Sequence, residues 1–215
     1  MAKAPFGILG PFIGTVGTVI GSTWKTKSTM RSLRSPSKRD KHPTPDQSKQ
    51  RSRFGFTSHF MGGLGPLVKK SFREMAIDKT EFQCALSYNV CNAVSATAGG
   101  FMVHYERVSL GRGTLPNALL PEAKTTEGSA DIRFTWEDNT GMGTAAATDM
   151  AIAVAYSPDI HRWVRLKETG AKRSDCVSVL TLPGLRGKKV HTWLVFVSEN
   201  GKASDSVYTG EVLVG

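Results

Sequence analysis

The sequence predicts an α+β protein built from a glycine-rich β or extended N-terminal arm at residues 1–43, a small helical layer at 44–98 and an antiparallel β-sandwich at 99–215. Three observations predict it. Glycines at 7, 10, 14, 17 and 21 punctuate a run of β-forming residues, helix-capping signatures stand at Thr44 and Thr80, and short β runs separated by turn residues fill the chain from Phe101 onward. A chain of 215 residues builds an ordinary core without a metal or a disulfide.

The arm comes first. Between Lys3 and Lys25 the chain is uncharged, but Pro5, Pro11 and the five glycines break it up, so it has neither the compact apolar block of a signal peptide nor the continuous apolar length of a spanning helix. The three-then-four spacing of the glycines also suits the small-residue seam of packed membrane helices, which stands as the minority alternative. The favoured reading is a set of short twisted strands, with Phe12, Ile13, Val16, Val19, Ile20 and Trp24 between turn-permitting glycines. Such a segment has little core of its own and must lie against the rest of the chain or a neighbouring subunit.

Charge singles out the same region. Residues 1–75 hold 14 Lys/Arg against 3 Asp/Glu, and residues 76–215 hold 14 against 15, so the whole basic excess is N-terminal. Its densest part carries Lys25, Lys27, Arg31, Arg34, Lys38, Arg39, Lys41, Lys49, Arg51 and Arg53, the candidate residues for binding a polyanion or a partner. Up to Pro43 this stretch has no apolar periodicity and is expected as an extended arm or loop.

At Thr44-Pro45-Asp46-Gln47 a capping hydroxyl, a proline suited to the first turn, an acid and a glutamine predict a helix from 44 to about Met61. Gly62-Gly63 stops it. A second helix is expected over 66–76, and a third from Thr80, where Gln83 repeats the capping-box spacing and Phe82, Ala85, Leu86, Asn89, Val90 and Ala93 share a face.

Eight β runs follow, at 101–110, 118–124, 130–137, 149–156, 161–168, 173–182, 190–198 and 204–214, which is the spacing of an all-β sandwich. Ile132, Phe134 and Trp136 alternate with polar neighbours and predict one solvated face, whereas 193–197 is apolar throughout and predicts burial on both faces.

No constellation of catalytic residues emerges. His42, His59, His104, His161 and His191 lack partners at metal-ligand spacing, no nucleophile elbow is present, and Glu137-Asp138 leads into a turn at Asn139-Thr140-Gly141. Gly111-Arg112-Gly113 and the 183–189 segment each offer backbone donors and a cation to a phosphate, but no helix is expected after either, so both are read as loops. Cys84 and Cys91 fall about 10 Å apart on one helix and cannot bridge; both, like Cys176 in a strand pattern, are expected as small core residues, a usage that fits a reducing compartment. The sequence thus predicts a non-enzyme with no cofactor, no bound metal, no small-molecule substrate and no membrane span, located in the cytoplasm or on a particle.

The ordered pieces Gly14-x-Val16-Gly17, Trp24-Lys25, Arg31, Pro43-Thr44-Pro45-x-Gln47, Gln50-Arg51 and Phe54 resemble the opening of a Bacteroidota family classed as a domain of unknown function. Ser87-Tyr88-Asn89, Asn92-Ala93-Val94, Leu115-Pro116, Phe134-Thr135-Trp136, Ala147-Thr148-Asp149 and Ser204-Asp205-Ser206-Val207-Tyr208 extend the resemblance over almost the whole chain. It departs at Thr15, where the family has a lysine, and near His42, where it has an arginine or asparagine. The resemblance implies a fibronectin-type or immunoglobulin-type sandwich and brings no activity, substrate or site residues with it.

The expected function is therefore structural: the arm docks on a large partner, through self-assembly or within a protein complex, while the sandwich mediates protein contacts, as in a phage-like virion or tail. The alternative is a nucleic-acid-associated protein that coats DNA or RNA through the basic arm without zinc-finger or RRM-type base reading. A carbohydrate-binding sandwich is the weaker alternative.

Overall fold

The computed structural model describes residues 2–5, 7, 10–25, 27–33, 42–126, 128–165 and 170–215, which fall into two compact units, Met1–Asp46 and Gln47–Gly215.

The first unit is an antiparallel meander of β1 (Gly14–Val16), β2 (Val19–Trp24) and β3 (Lys27–Ser32), in that order across the sheet. Val16 pairs with Val19 and Trp24 with Lys27, which sets the register of both hairpins. Gly17 and Lys25 supply the positive φ, +56° and +52°, that tight hairpin turns demand. Lys3 bridges back to Ile13. The extended arm expected from residue 25 is thus a paired strand as far as Ser32, because Lys27, Thr29 and Arg31 alternate with Ser28, Met30 and Ser32 at the strand period of two.

Helix α1 (Pro45–Phe60) starts in the last two residues of the first unit and runs on in the second, where α2 (Gly65–Ser71) and α3 (Glu81–Asn92) follow near the expected positions. The α3 capping box is formed as its spacing requires: the Gln83 amide N–H donates to the Thr80 hydroxyl at 3.2 Å, and the Thr80 N–H to the Gln83 side chain at 3.0 Å. A small hairpin, β4 (Val94–Thr97) with β5 (Gly100–Val103), follows. The β run expected at 101–110 is therefore shorter: it turns at Tyr105–Arg107 into a 3-10 helix and pairs locally instead of joining the sandwich.

Among the described residues, seven strands make the sandwich. β6 (Leu119–Thr125), β7 (Asp131–Glu137) and β10 (Val177–Thr181) form one sheet in the order β10-β7-β6; β8 (Met150–Ser157), β9 (Arg162–Arg165), β11 (Lys189–Val197) and β12 (Val207–Leu213) form the other in the order β12-β11-β8-β9. All pairings are antiparallel. First, second and fifth strands against third, fourth, sixth and seventh is a fibronectin type III-like arrangement.

Two cores explain the strand patterns. Ile132, Phe134 and Trp136 meet Leu194 and Phe196 between the sheets. On the other side of the four-stranded sheet, Val154, Trp193 and Val195 pack against Met61, Leu64, Val68 and Phe72 of the helical region. The four-stranded sheet is thus a middle layer covered on both faces, which is why β11 is buried from Val190 to Val197. Each such large side chain contributes about 1.5–3 kcal/mol on burial.

β10 also begins later than the expected 173–182. Arg173–Asp175 is a 3-10 turn, held by the Lys172 N–H donating to Asp175 Oδ2 at 2.8 Å, and Arg173 is completely buried. Cys84, Cys91 and Cys176 are free thiols, and they are not the core residues expected: Cys91 is exposed on α3, Cys84 is half-buried, and Cys176 is a half-buried, left-handed residue that ends the 3-10 turn before β10.

Candidate functional site

The first unit presents the candidate residues on a sheet with two exposed faces. Residues paired directly across an antiparallel ladder share a face. One face therefore carries Thr15, Ile20 and Arg31 in one row, Ser22 and Thr29 in the next, and Trp24 with Lys27 in the last. The Ser22 and Thr29 hydroxyls are 2.9 Å apart, a hydrogen bond within the middle row that ties β2 to β3. The opposite face carries Val16, Val19 and Ser32, then Gly14, Gly21 and Met30, then Thr23 and Ser28.

Phe12 covers Gly21 so closely that a Cβ there would meet the Phe12 carbonyl oxygen and lie 2.8 Å from its ring. Gly21 is the one buried residue among the described residues of this unit. Val16 is 55% exposed, Trp24 57% and Met30 63%, values normal for lysine and unusual for residues of this size.

The remaining candidates separate. Lys49 and Arg51 lie exposed on α1, where Arg51 lines a shallow cleft of about 520 Å³ with Gln47, Gln50, Phe54 and Gly55. Arg53 belongs to the fold instead: its Nη2 donates to the Val94 carbonyl at 2.6 Å, tying α1 to β4, and its carbonyl accepts from the Thr57 hydroxyl at 2.9 Å. Arg34, Lys38, Arg39 and Lys41 lie outside the described residues. The structure thus puts Trp24, Lys27 and Arg31 on one face, Lys27 opposite Trp24 and Arg31 opposite Ile20, with Lys25 in the adjoining turn.

Several titratable residues of the second unit are spent on local contacts. His191 stacks on Tyr105 with ring centroids 3.7 Å apart and bonds the Tyr208 hydroxyl at 2.7 Å, and burial pushes its pKa below the ordinary histidine value. Burial, with the neighbouring Tyr105, pushes Tyr156 up to about 12. Asp138 accepts from both the N–H and the hydroxyl of Thr140, at 2.9 and 2.5 Å, closing the turn expected after Glu137. Among the described residues no group of three or more His, Cys, Asp or Glu could hold a metal ion, and no helix is long and apolar enough to cross a membrane.

The model of a family of unknown function, DUF6266, matches residues 11–210. The chain belongs to this family. No curated protein matches it. The DUF6266 match takes in both the exposed sheet and nearly all of the sandwich, so the two units belong to one family architecture.

Counting charges in the sequence marks this region but not the two-sidedness of its sheet. The signal was present in the period-two alternation of Lys27, Thr29 and Arg31 against Ser28, Met30 and Ser32. Nothing in sequence spacing marked Arg53 as a structural side chain, because the carbonyl it binds lies 41 residues away.

Proposed function

We propose that the chain is a non-enzymatic assembly protein whose N-terminal sheet docks on further copies of the same chain, with the sandwich as the rigid body that the sheet links into a larger complex. The observation that supports this reading is the apolar face of the meander. Val16, Val19 and Met30 project from it exposed, and a sheet of three short strands needs a covered apolar face to be stable. A neighbouring copy supplies that cover and gains the burial, while the basic residues on the other face keep the sheet soluble until it docks.

The test is sedimentation of the full chain beside a Val19→Asp/Met30→Asp variant. The reading expects the wild type to sediment above its 23.3 kDa monomer and the variant to fall back to it. Equal behaviour of the two proteins counts against it.

A second reading, coating of DNA or RNA, is favoured by one observation: Trp24 with Lys27 and Ile20 with Arg31 place an aromatic and two cations on one face. Phosphates meet cations while bases stack on exposed aromatic rings in such surfaces. Binding of single-stranded DNA that falls with salt and is lost on Lys27→Glu/Arg31→Glu supports it; binding that stays flat between low and moderate salt eliminates it.

A further inference from the structure

Gly111-Arg112-Gly113, in the second unit, is a tightly packed segment whose arginine lines a cleft. A Cβ on Gly111 would stand 2.8 Å from Val195 Cγ1 and 3.0 Å from the Ser204 carbonyl oxygen. One on Gly113 would run into the Ala203 carbonyl oxygen and the Glu74 carboxylate. Both glycines are therefore close-approach residues that seat this segment against β11 and the chain entering β12. Arg112 is fixed between them, its N–H donating to the Ser71 carbonyl at 3.0 Å.

The Arg112 side chain opens onto a polar cleft of about 520 Å³ lined in part by Tyr88, Glu106, Arg107, Asp205 and Ser206. Its guanidinium carbon lies 4.5 Å from the Tyr88 ring centroid, a cation–π contact that holds the group flat while leaving its N–H edge unspent. Among the described residues no carboxylate or carbonyl accepts from that guanidinium. Backbone donors are already used: besides Arg112 N–H, the Gly113 N–H reaches Asp205 Oδ1 at 3.3 Å. The side chains are what remain. Ser206 Oγ accepts from the Leu110 N–H at 2.9 Å, which leaves its own O–H to donate, and Arg107 meets Glu106 only at 3.8 Å.

Charge selects the ligand. Two guanidinium groups favour an oxyanion, and the planar fork of Arg112 matches a carboxylate in bidentate geometry. Glu106 and Asp205 on the same wall oppose a second negative charge, which argues against a phosphate dianion, and they attract a cation. We propose that this cleft binds a small zwitterion, a carboxylate with an ammonium group beside it, as in a free α-amino acid: the carboxylate on Arg112 and Arg107, the ammonium towards Asp205 and Glu106.

The experiment is calorimetric titration of the full chain with the common free α-amino acids, with acetate, ethylammonium and inorganic phosphate as comparison ligands. Saturable binding of at least one amino acid, weaker binding of all three comparison ligands, and a tenfold or greater loss in both Arg112→Ala and Asp205→Asn are expected. Asp205→Asn keeps an acceptor for the Gly113 N–H, so it guards against misfolding as the cause, and Arg112→Lys serves if Arg112→Ala fails to fold. Silence of every amino acid up to about 10 mM, a range that already reaches below the roughly 4 kcal/mol of a millimolar ligand, overturns the proposal. So does phosphate binding at equal strength, or full affinity in the Arg112 and Asp205 variants.

Discussion

Arg173 Nε donates to Asp149 Oδ2 at 3.1 Å, and both side chains are buried, Arg173 at 0% and Asp149 at 1% exposure. The guanidinium also donates to Asn139 Oδ1 at 2.6 Å and to the Pro116 carbonyl at 3.0 Å, and it lies 3.9 Å above the Phe196 ring. The Trp136 indole N–H in turn donates to the Arg173 carbonyl at 2.8 Å. One arginine thereby joins the start of β8, the turn after β7 and the inter-sheet core.

Removing the acid leaves a buried cation without its charge partner. Asp149→Ala is expected to destabilise the chain by about 3–5 kcal/mol, while replacing both Arg173 and Asp149 by apolar residues of similar volume costs less. Urea unfolding of the two variants checks the order; a single variant as stable as the wild type contradicts the role given to this pair.

Glu74 sets a pH limit. Burial works against its charge, but the Thr114 hydroxyl, the Ala203 and Thr114 N–H groups and the nearby Lys202 charge outweigh burial and hold its pKa below 4.5. A depressed folded pKa means the contribution is present above the unfolded value and lost as pH falls through the folded one. Glu74→Gln should therefore lower the urea midpoint at pH 7, and the gap to wild type should close as pH drops below about 4.5. A gap that widens in acid reverses the sign of the argument.

The Thr80 cap is a local test. Thr80→Ala leaves the Gln83 N–H without its acceptor and should cost about 0.5–2 kcal/mol, read by thermal or urea unfolding, whereas Thr80→Asp should restore most of it.

Gly21→Val probes the sheet directly. A branched side chain there collides with Phe12, so self-association should drop while the unfolding of the second unit stays within about 0.5 kcal/mol of wild type. Unchanged association would mean that the Phe12-capped sheet is not the docking element.

Local chemistry made much of this architecture legible. Thr80 and Gln83 announce α3 because a capping box is satisfied within four residues, and the unbroken apolar run of β11 announces a layer on each side of it. Long-range partners were not legible. Phe101 and Val103 carry β propensity but pair with Val94–Thr97 beside the helices, and Arg173 sits in a β-like context yet turns inward because Asp149 and Asn139 wait there. In the candidate sheet, the charge of Lys27 and Arg31 masked an alternation that pairs them with Trp24 and Ile20. In the sequence Arg53 is one more cation; its bond to the Val94 carbonyl makes it part of the fold.

The most direct test of the docking reading is the native mass of the full chain recovered from cells, measured with and without nuclease. A nuclease-resistant complex larger than the 23.3 kDa chain, reduced to monomer by Val19→Asp/Met30→Asp, is the predicted result. A 23.3 kDa monomer under both conditions contradicts it.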